Sequence, residues 1–144
     1  MKVLKNSLKN CKGAVMVEFA IVLPLLLILV FGIIEFGVLL YDKAMITNAS
    51  REGARAGIVY AFPNRITAAQ ISAVVQNYTT GNMITFGAAA NPTINVTPGI
   101  CANAGDTLSV KVTYQYKFLV LPKLPYLNLS NTLNLSATTI MRCE

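Results

Sequence analysis

Apolar residues crowd the first sixty positions more densely than one face of a surface helix requires, then thin into two shorter periodicities. No charged side chain occurs from Phe19 to Ile34, and the apolar run continues through Glu35 to Tyr41. Those 23 residues would span roughly 34 Å as a helix, enough to cross a bilayer. Pro24 lies inside the run and predicts a mild kink. Asp42 to Tyr60 is free of proline and rich in helix formers, so the helix is expected to continue past the membrane. Arg51 and Arg55 share one face, with Glu52 three before Arg55 as a pairing partner. Ala49, Gly53 and Gly57 recur at every fourth position, a stripe with almost no side chain. Such a stripe predicts close approach of another backbone, a sheet face first of all. The alternative is a pair of glycines that only weaken the helix end.

Phe62-Pro63-Asn64 is expected to stop the long helix by turn chemistry. From Ile66 to Tyr78, the positions Ile66, Ala69/Gln70, Ala73/Val74 and Asn77/Tyr78 keep helical spacing, and Thr79-Thr80-Gly81-Asn82 is expected to close that second helix. The period then changes to two. Thr93 to Thr97 alternates between Pro92 and Pro98-Gly99 and reads as a strand. After a turn at Asn103-Ala104-Gly105-Asp106, Thr107 to Lys117 alternates more cleanly, with Leu108, Val110, Val112, Tyr114 and Tyr116 on one face. Phe118 to Tyr126 carries two prolines and is mostly apolar, a loop suited to touch a membrane or a neighbouring subunit. Thr132 to Met141 alternates again, with Leu133, Leu135, Ala137 and Thr139 on one side. The pattern predicts an α+β fold in which a second helix and about three antiparallel strands pack on the C-terminal half of the long helix.

Composition sharpens this picture. The chain of 144 residues is 54% apolar and 12% charged, with a mean hydropathy of +0.55 concentrated in the N-terminal run. Four of its twelve basic residues, Lys2, Lys5, Lys9 and Lys12, precede that run, and no acidic residue accompanies them. Without this head, eight basic residues face six acidic ones, so the formal charge of +6 is no sign of nucleic-acid binding. A lysine-rich head before a hydrophobic helix predicts a cytoplasmic N-terminus and an exported C-terminal part. The run is too long for a secretory signal core and lacks a small-x-small exit. Catalytic material is scarce. There is no histidine, the acids Asp42, Glu52, Asp106 and Glu144 are scattered, and no phosphate-binding glycine loop occurs. No enzyme activity, metal site or cofactor is therefore expected.

The boundary Lys12-Gly13-Ala14-Val15-Met16-Val17-Glu18-Phe19 resembles the processing site of type IV prepilins, in which a peptidase cuts after the glycine and leaves glutamate at mature position five. Gly13 to Ala20, then Leu23-Pro24-Leu25-Leu26, then Phe31-Gly32-Ile33-Ile34-Glu35-Phe36-Gly37, and Asn48 to Gly57 after the membrane run, are similar to the TadE-like family. These are minor pilins or pseudopilins of the bacterial Tad (tight-adherence, type IVc) pilus. Phe19 departs from the major pilins, which carry tyrosine after the glutamate. The resemblance covers residues 12 to about 60.

It implies a leader at 1–13, cut between Gly13 and Ala14; a long helix at 14–60, transmembrane at about 19–41; and an exported pilin-like domain at 61–144. It also implies the prepilin peptidase, other minor pilins and the major Flp pilin as partners. The implied location is the bacterial inner membrane, crossed once, with the C-terminal domain periplasmic or extracellular. Glu18 and Phe19 would serve processing and assembly, with Glu18 pairing the α-amino group freed on Ala14 of its own or an adjacent subunit. The alternative is an interfacial glutamate snorkelling to water. Glu35 is expected either to face a partner helix or to lie near the outer interface. Loss of the leader removes Cys11 and leaves Cys101 and Cys143, which then predict a disulfide in an oxidising compartment; two unpaired buried cysteines are the other reading. An uncleaved, signal-anchored binding module remains the alternative function.

Overall fold

The computed structural model describes residues 4–59, 64–86, 90–118 and 132–144, the first nine of them (4–12) as backbone only. Helix α1 (Leu4–Ile58) runs for 55 residues, roughly 80 Å, and passes through Pro24 without a break. Phe62 and Pro63, expected to stop it, and most of the proline-containing loop after Phe118 lie outside the described residues.

Helix α2 (Ala68–Asn82) begins two residues later than the spacing suggests, because Thr67 caps it. The Thr67 hydroxyl accepts from the Gln70 N–H, and the Gln70 side chain accepts from the Thr67 N–H at 2.9 Å. This reciprocal capping box satisfies two otherwise orphaned donors. The helix also outlasts its expected end. The Thr79 and Thr80 hydroxyls donate to carbonyls one turn back, Asn82 does the same to Tyr78, and the Met83 N–H closes on Thr79 O. Turn-forming residues whose side chains bond back along the helix do not stop it.

Strands β1 (Thr93–Thr97), β2 (Thr107–Lys117) and β3 (Thr132–Arg142) form one antiparallel sheet in the order β1-β2-β3. Val96 pairs with Val110, and Val110 in turn with Thr139. The period-two pattern places Leu108, Val110, Val112 and Tyr116 of β2, with Leu135 and Ala137 of β3, in the core. Polar partners such as Lys111, Gln115 and Ser136 face outward. In the turn before β2, the Asp106 carboxylate accepts from the Asn103 N–H, and Gly105 takes a left-handed φ of 89°. Together these elements give the expected α+β architecture.

Strand β1 packs on β2 and α2, while helix α2 and strands β2 and β3 pack lengthwise on α1, centred on one stripe, Glu35, Asp42, Ile46, Ala49, Gly53 and Gly57, spaced by three, four or seven residues. Helix α2 descends along it, Ile71 meeting Gly57, Val75 meeting Gly53, and Ile84 just beyond α2 meeting Asp42. Strand β2 descends as well, Leu108 at Gly57, Val110 near Gly53 and Tyr116 at Glu35. Strand β3 climbs, with Ser136 at Lys43 and Thr139 at Ser50. At the top, the Glu144 N–H bonds Ile58 O at 3.2 Å and satisfies one of the last carbonyls of α1.

A methyl group added at Gly53 would strike Val75, and one at Gly57 would strike Leu108 and come within 2.7 Å of Ile71 Cδ1. The small-residue stripe thus receives α2 and the sheet together, where a sheet face alone was the first expectation. Val75 is β-branched and nearly fixed in a helix, whereas the tips of Leu108 and Ile71 can turn. Gly53→Ala is therefore expected to lose about 1–2 kcal/mol net, overpacking outweighing the helix-propensity gain of alanine. Gly57→Ala should lose less. Urea unfolding of the detergent-solubilised chain checks this, and a Gly53→Ala protein as stable as the parent would refute the packing argument.

Candidate functional site

Two parts of α1 carry functional chemistry, and they divide it near Glu35. Below Glu35 the helix projects away from the rest of the described structure. No part of its most apolar 18-residue window is buried, and Phe19, Ile21, Leu25 and Ile33 all lie open. This segment is long and apolar enough to cross a membrane. Gly13 and Ala14 sit at its N-terminal end, with Glu18 and Phe19 one turn further along, all exposed. Among the described residues, and its own helix backbone aside, nothing lies within 4 Å of where a Gly13 side chain would begin. Ala14 and Glu18, four residues apart, share a helix face.

At Glu35 the surroundings change. Its carboxylate is buried, 3% exposed, and accepts a hydrogen bond of 2.7 Å from the Tyr116 hydroxyl on β2. The partner is thus within the same chain, which replaces the expectation of a second helix. Tyr116 is held by an edge-to-face contact with Phe118, ring centres 5.5 Å apart. Two turns up, Asp42 is fully buried. Its Oδ1 accepts from the Ile84 N–H at 3.0 Å, fixing the exit of α2, while its Oδ2 has no hydrogen-bond partner among the described residues.

Burial pushes the Asp42 carboxyl above the usual carboxylate range, only partly opposed by the Ile84 N–H. Burial likewise raises the Tyr114 hydroxyl, with the nearby Asp42 charge acting in the same direction. It raises Tyr116 further, helped by the bond to Glu35. Next to Asp42, Lys43 bends outward and donates to Ser136 O of β3.

The sequence marked Glu35 but missed Asp42 and Tyr116. A signal existed: Glu35 and Asp42 are seven apart and continue the stripe through Ile46, Ala49 and Gly53. Carboxylates in register with a packing stripe face whatever packs there.

The remaining sites lie higher. Cys101 and Cys143 are joined by a disulfide with Cα atoms 5.8 Å apart, closing a loop between residues 42 apart in sequence. Backbone bonds between Gly105, Asp106 and Cys143 brace the bridge. The Glu52–Arg55 pair forms on the exposed face of α1, where such pairs contribute little.

Residues 13–55 match the family described as TadE-like protein. The match starts at Gly13 and takes in Glu18, Phe19, Glu35, Asp42, Ala49 and Gly53; it ends before α2. No curated protein and no solved structure matches the chain.

Tyr116→Phe removes the hydroxyl that holds Glu35 and is expected to lose about 1–3 kcal/mol of stability. The loss should shrink in a Glu35→Gln background, a double-mutant comparison by urea unfolding. Asp42 sets a pH dependence of definite sign. The folded carboxyl binds its proton more tightly than the unfolded one, so its contribution favours folding at acidic pH and is lost as pH rises through the raised value. Asp42→Asn should therefore gain stability relative to the parent between acidic and neutral pH. A difference that stays constant with pH would count against the assignment.

Proposed function

We propose, from the TadE-like segment at residues 13–55, that this chain is a minor pilin or pseudopilin that takes part in assembling a Tad-type (Flp) pilus, and hence in surface adherence. The observation that carries the reading is the family match beginning at Gly13, on a helix that leaves its apolar surface uncovered. A prepilin peptidase hydrolyses the Gly13–Ala14 bond, at the glycine where the family match begins. Residues 1–13 leave with their four lysines.

Hydrolysis creates an α-amino group on Ala14 with a pKa of about 7.7–8.0, largely cationic near neutral pH. Glu18 stands one turn away and neutralises it, within the subunit or across to a neighbour. Neutralising both charges matters because an isolated carboxylate in a spanning helix costs about 2.5–3.5 kcal/mol near the bilayer centre. The exposed apolar surface from Phe19 onward then packs against other pilin helices, Phe19 among the contacts.

The helix crosses the inner membrane once with its N-terminus cytoplasmic, and residues 61–144 stand outside with the upper half of α1. The partners are the peptidase, other minor pilins and the major Flp pilin. The role is structural rather than enzymatic.

Intact mass of the protein from its native membranes tests the reading. The parent should lack residues 1–13, while Gly13→Ala should stay full-length and fail to support piliation. A parent chain that keeps its leader beside an active prepilin peptidase would instead indicate a signal-anchored binding module outside the filament.

A further inference from the structure

We infer that the lower end of the exported domain is seated in the outer headgroup layer of the membrane, with the Glu35–Tyr116 contact marking the hydrocarbon boundary. This deepens the proposed function and rests on its reading that α1 spans the membrane. The argument begins with depth. Tyr116 reaches Glu35 at the foot of the packing stripe, so β2 already covers one side of α1 there. A folded sheet cannot stand in hydrocarbon with open edges, so the hydrocarbon must end at about Ile34. About 20 residues cross a core of ~30 Å, which places the span at about residues 15–34 instead of 19–41. Glu18 then lies one turn inside the cytoplasmic boundary, and the Gly13–Ala14 bond at the surface, where a peptidase can reach it.

The stretch from Glu35 to Tyr41 rises about 9 Å, close to the depth of an interfacial layer. The surfaces at this level have interfacial character. On α1 the exposed residues are Phe36, Gly37, Leu40 and Tyr41. On β3, Leu133 lies on the same sheet face as buried Leu135 and Ala137, yet is 42% exposed. Beside Asp42, Ile84 is open, and Phe86, two residues further along the chain, is 60% exposed at a φ of 47°, a conformation rare for a bulky residue. An exposed aromatic held in the left-handed region beside a helix that enters a membrane is a natural interfacial anchor.

The charges agree. The two acidic residues at this end, Glu35 and Asp42, are buried, while Lys117 is exposed and Lys43 is partly so. Lysines at this end, with its acids buried, complement an anionic lipid surface.

The chain has no tryptophan, so single replacements report their own positions. Phe86→Trp and Leu133→Trp would be compared with Leu27→Trp in mid-helix and with Ile100→Trp beside the disulfide, at the far end. Each full-length variant would be reconstituted in vesicles of phosphatidylethanolamine with a minority of phosphatidylglycerol, brominated either just below the headgroups or near the acyl ends. Phe86→Trp and Leu133→Trp are expected to lose half or more of their emission to the shallow bromines and little to the deep ones. Leu27→Trp should respond most to the deep bromines and Ile100→Trp to neither. Overturning results are emission from Phe86→Trp and Leu133→Trp as insensitive as that of Ile100→Trp while Leu27→Trp is quenched, or a blue shift that follows protein density instead of bromination, which would mean a second copy covers this face. An unquenched Leu27→Trp would remove the spanning helix itself, and this proposal with it.

Discussion

One helix stripe organises the described domain. Helix α2 and strands β2 and β3 meet α1 along Glu35, Asp42, Ile46, Ala49, Gly53 and Gly57, and the chemistry of the stripe changes along its length. At the upper end the absence of side chains lets α2 and β2 press onto the helix backbone, which is where Ile71, Val75, Leu108 and Val110 bury themselves. At the lower end two carboxylates replace small residues, and polar contacts take over from close packing. Apolar burial contributes most of the stabilisation in the upper half, while the lower half fixes where the sheet ends against the helix.

The two acids have different neighbours. Glu35 receives a hydroxyl donor, which helps a buried carboxylate. Asp42 receives only a backbone N–H on one oxygen, and its raised proton affinity reflects the shortfall. Such an arrangement ties the exit of α2 to the helix at a cost that grows with pH. It persists because the Ile84 amide would otherwise lack its partner.

Much of this fold was legible in the sequence, and the misses are instructive. Period-two alternation gave the bounds of β1 and β2, because prolines and a turn-forming cluster delimit them. The ends of α2 were misplaced by two to four residues. The capping box at Thr67 and the back-bonding of Thr79, Thr80 and Asn82 decide those ends, and spacing alone does not report them. The family resemblance was readable because its motif, with Gly13, Ala14, Glu18 and Phe19, is local, and the family match begins at Gly13. The Tyr116–Glu35 contact joins residues 81 apart and depends on which way β2 runs along α1, information that periodicity does not contain. Asp42 was passed over as a flanking charge after an apolar run; its place on the packing stripe was the better guide.

The closure of the upper end has a mechanical side. Strand β3 climbs away from the apolar half of α1, and its last residues are fastened at the upper end by the Cys101–Cys143 bridge and by the Glu144–Ile58 bond. A pull on that end directed away from the apolar half of α1 acts along β3, parallel to its eleven-residue ladder with β2. The hydrogen bonds of that ladder are then loaded together in shear instead of parting one after another, and the bridge passes part of the tension to the segment ahead of β2. A domain held through α1 and pulled from this end therefore carries the load across the whole ladder at once.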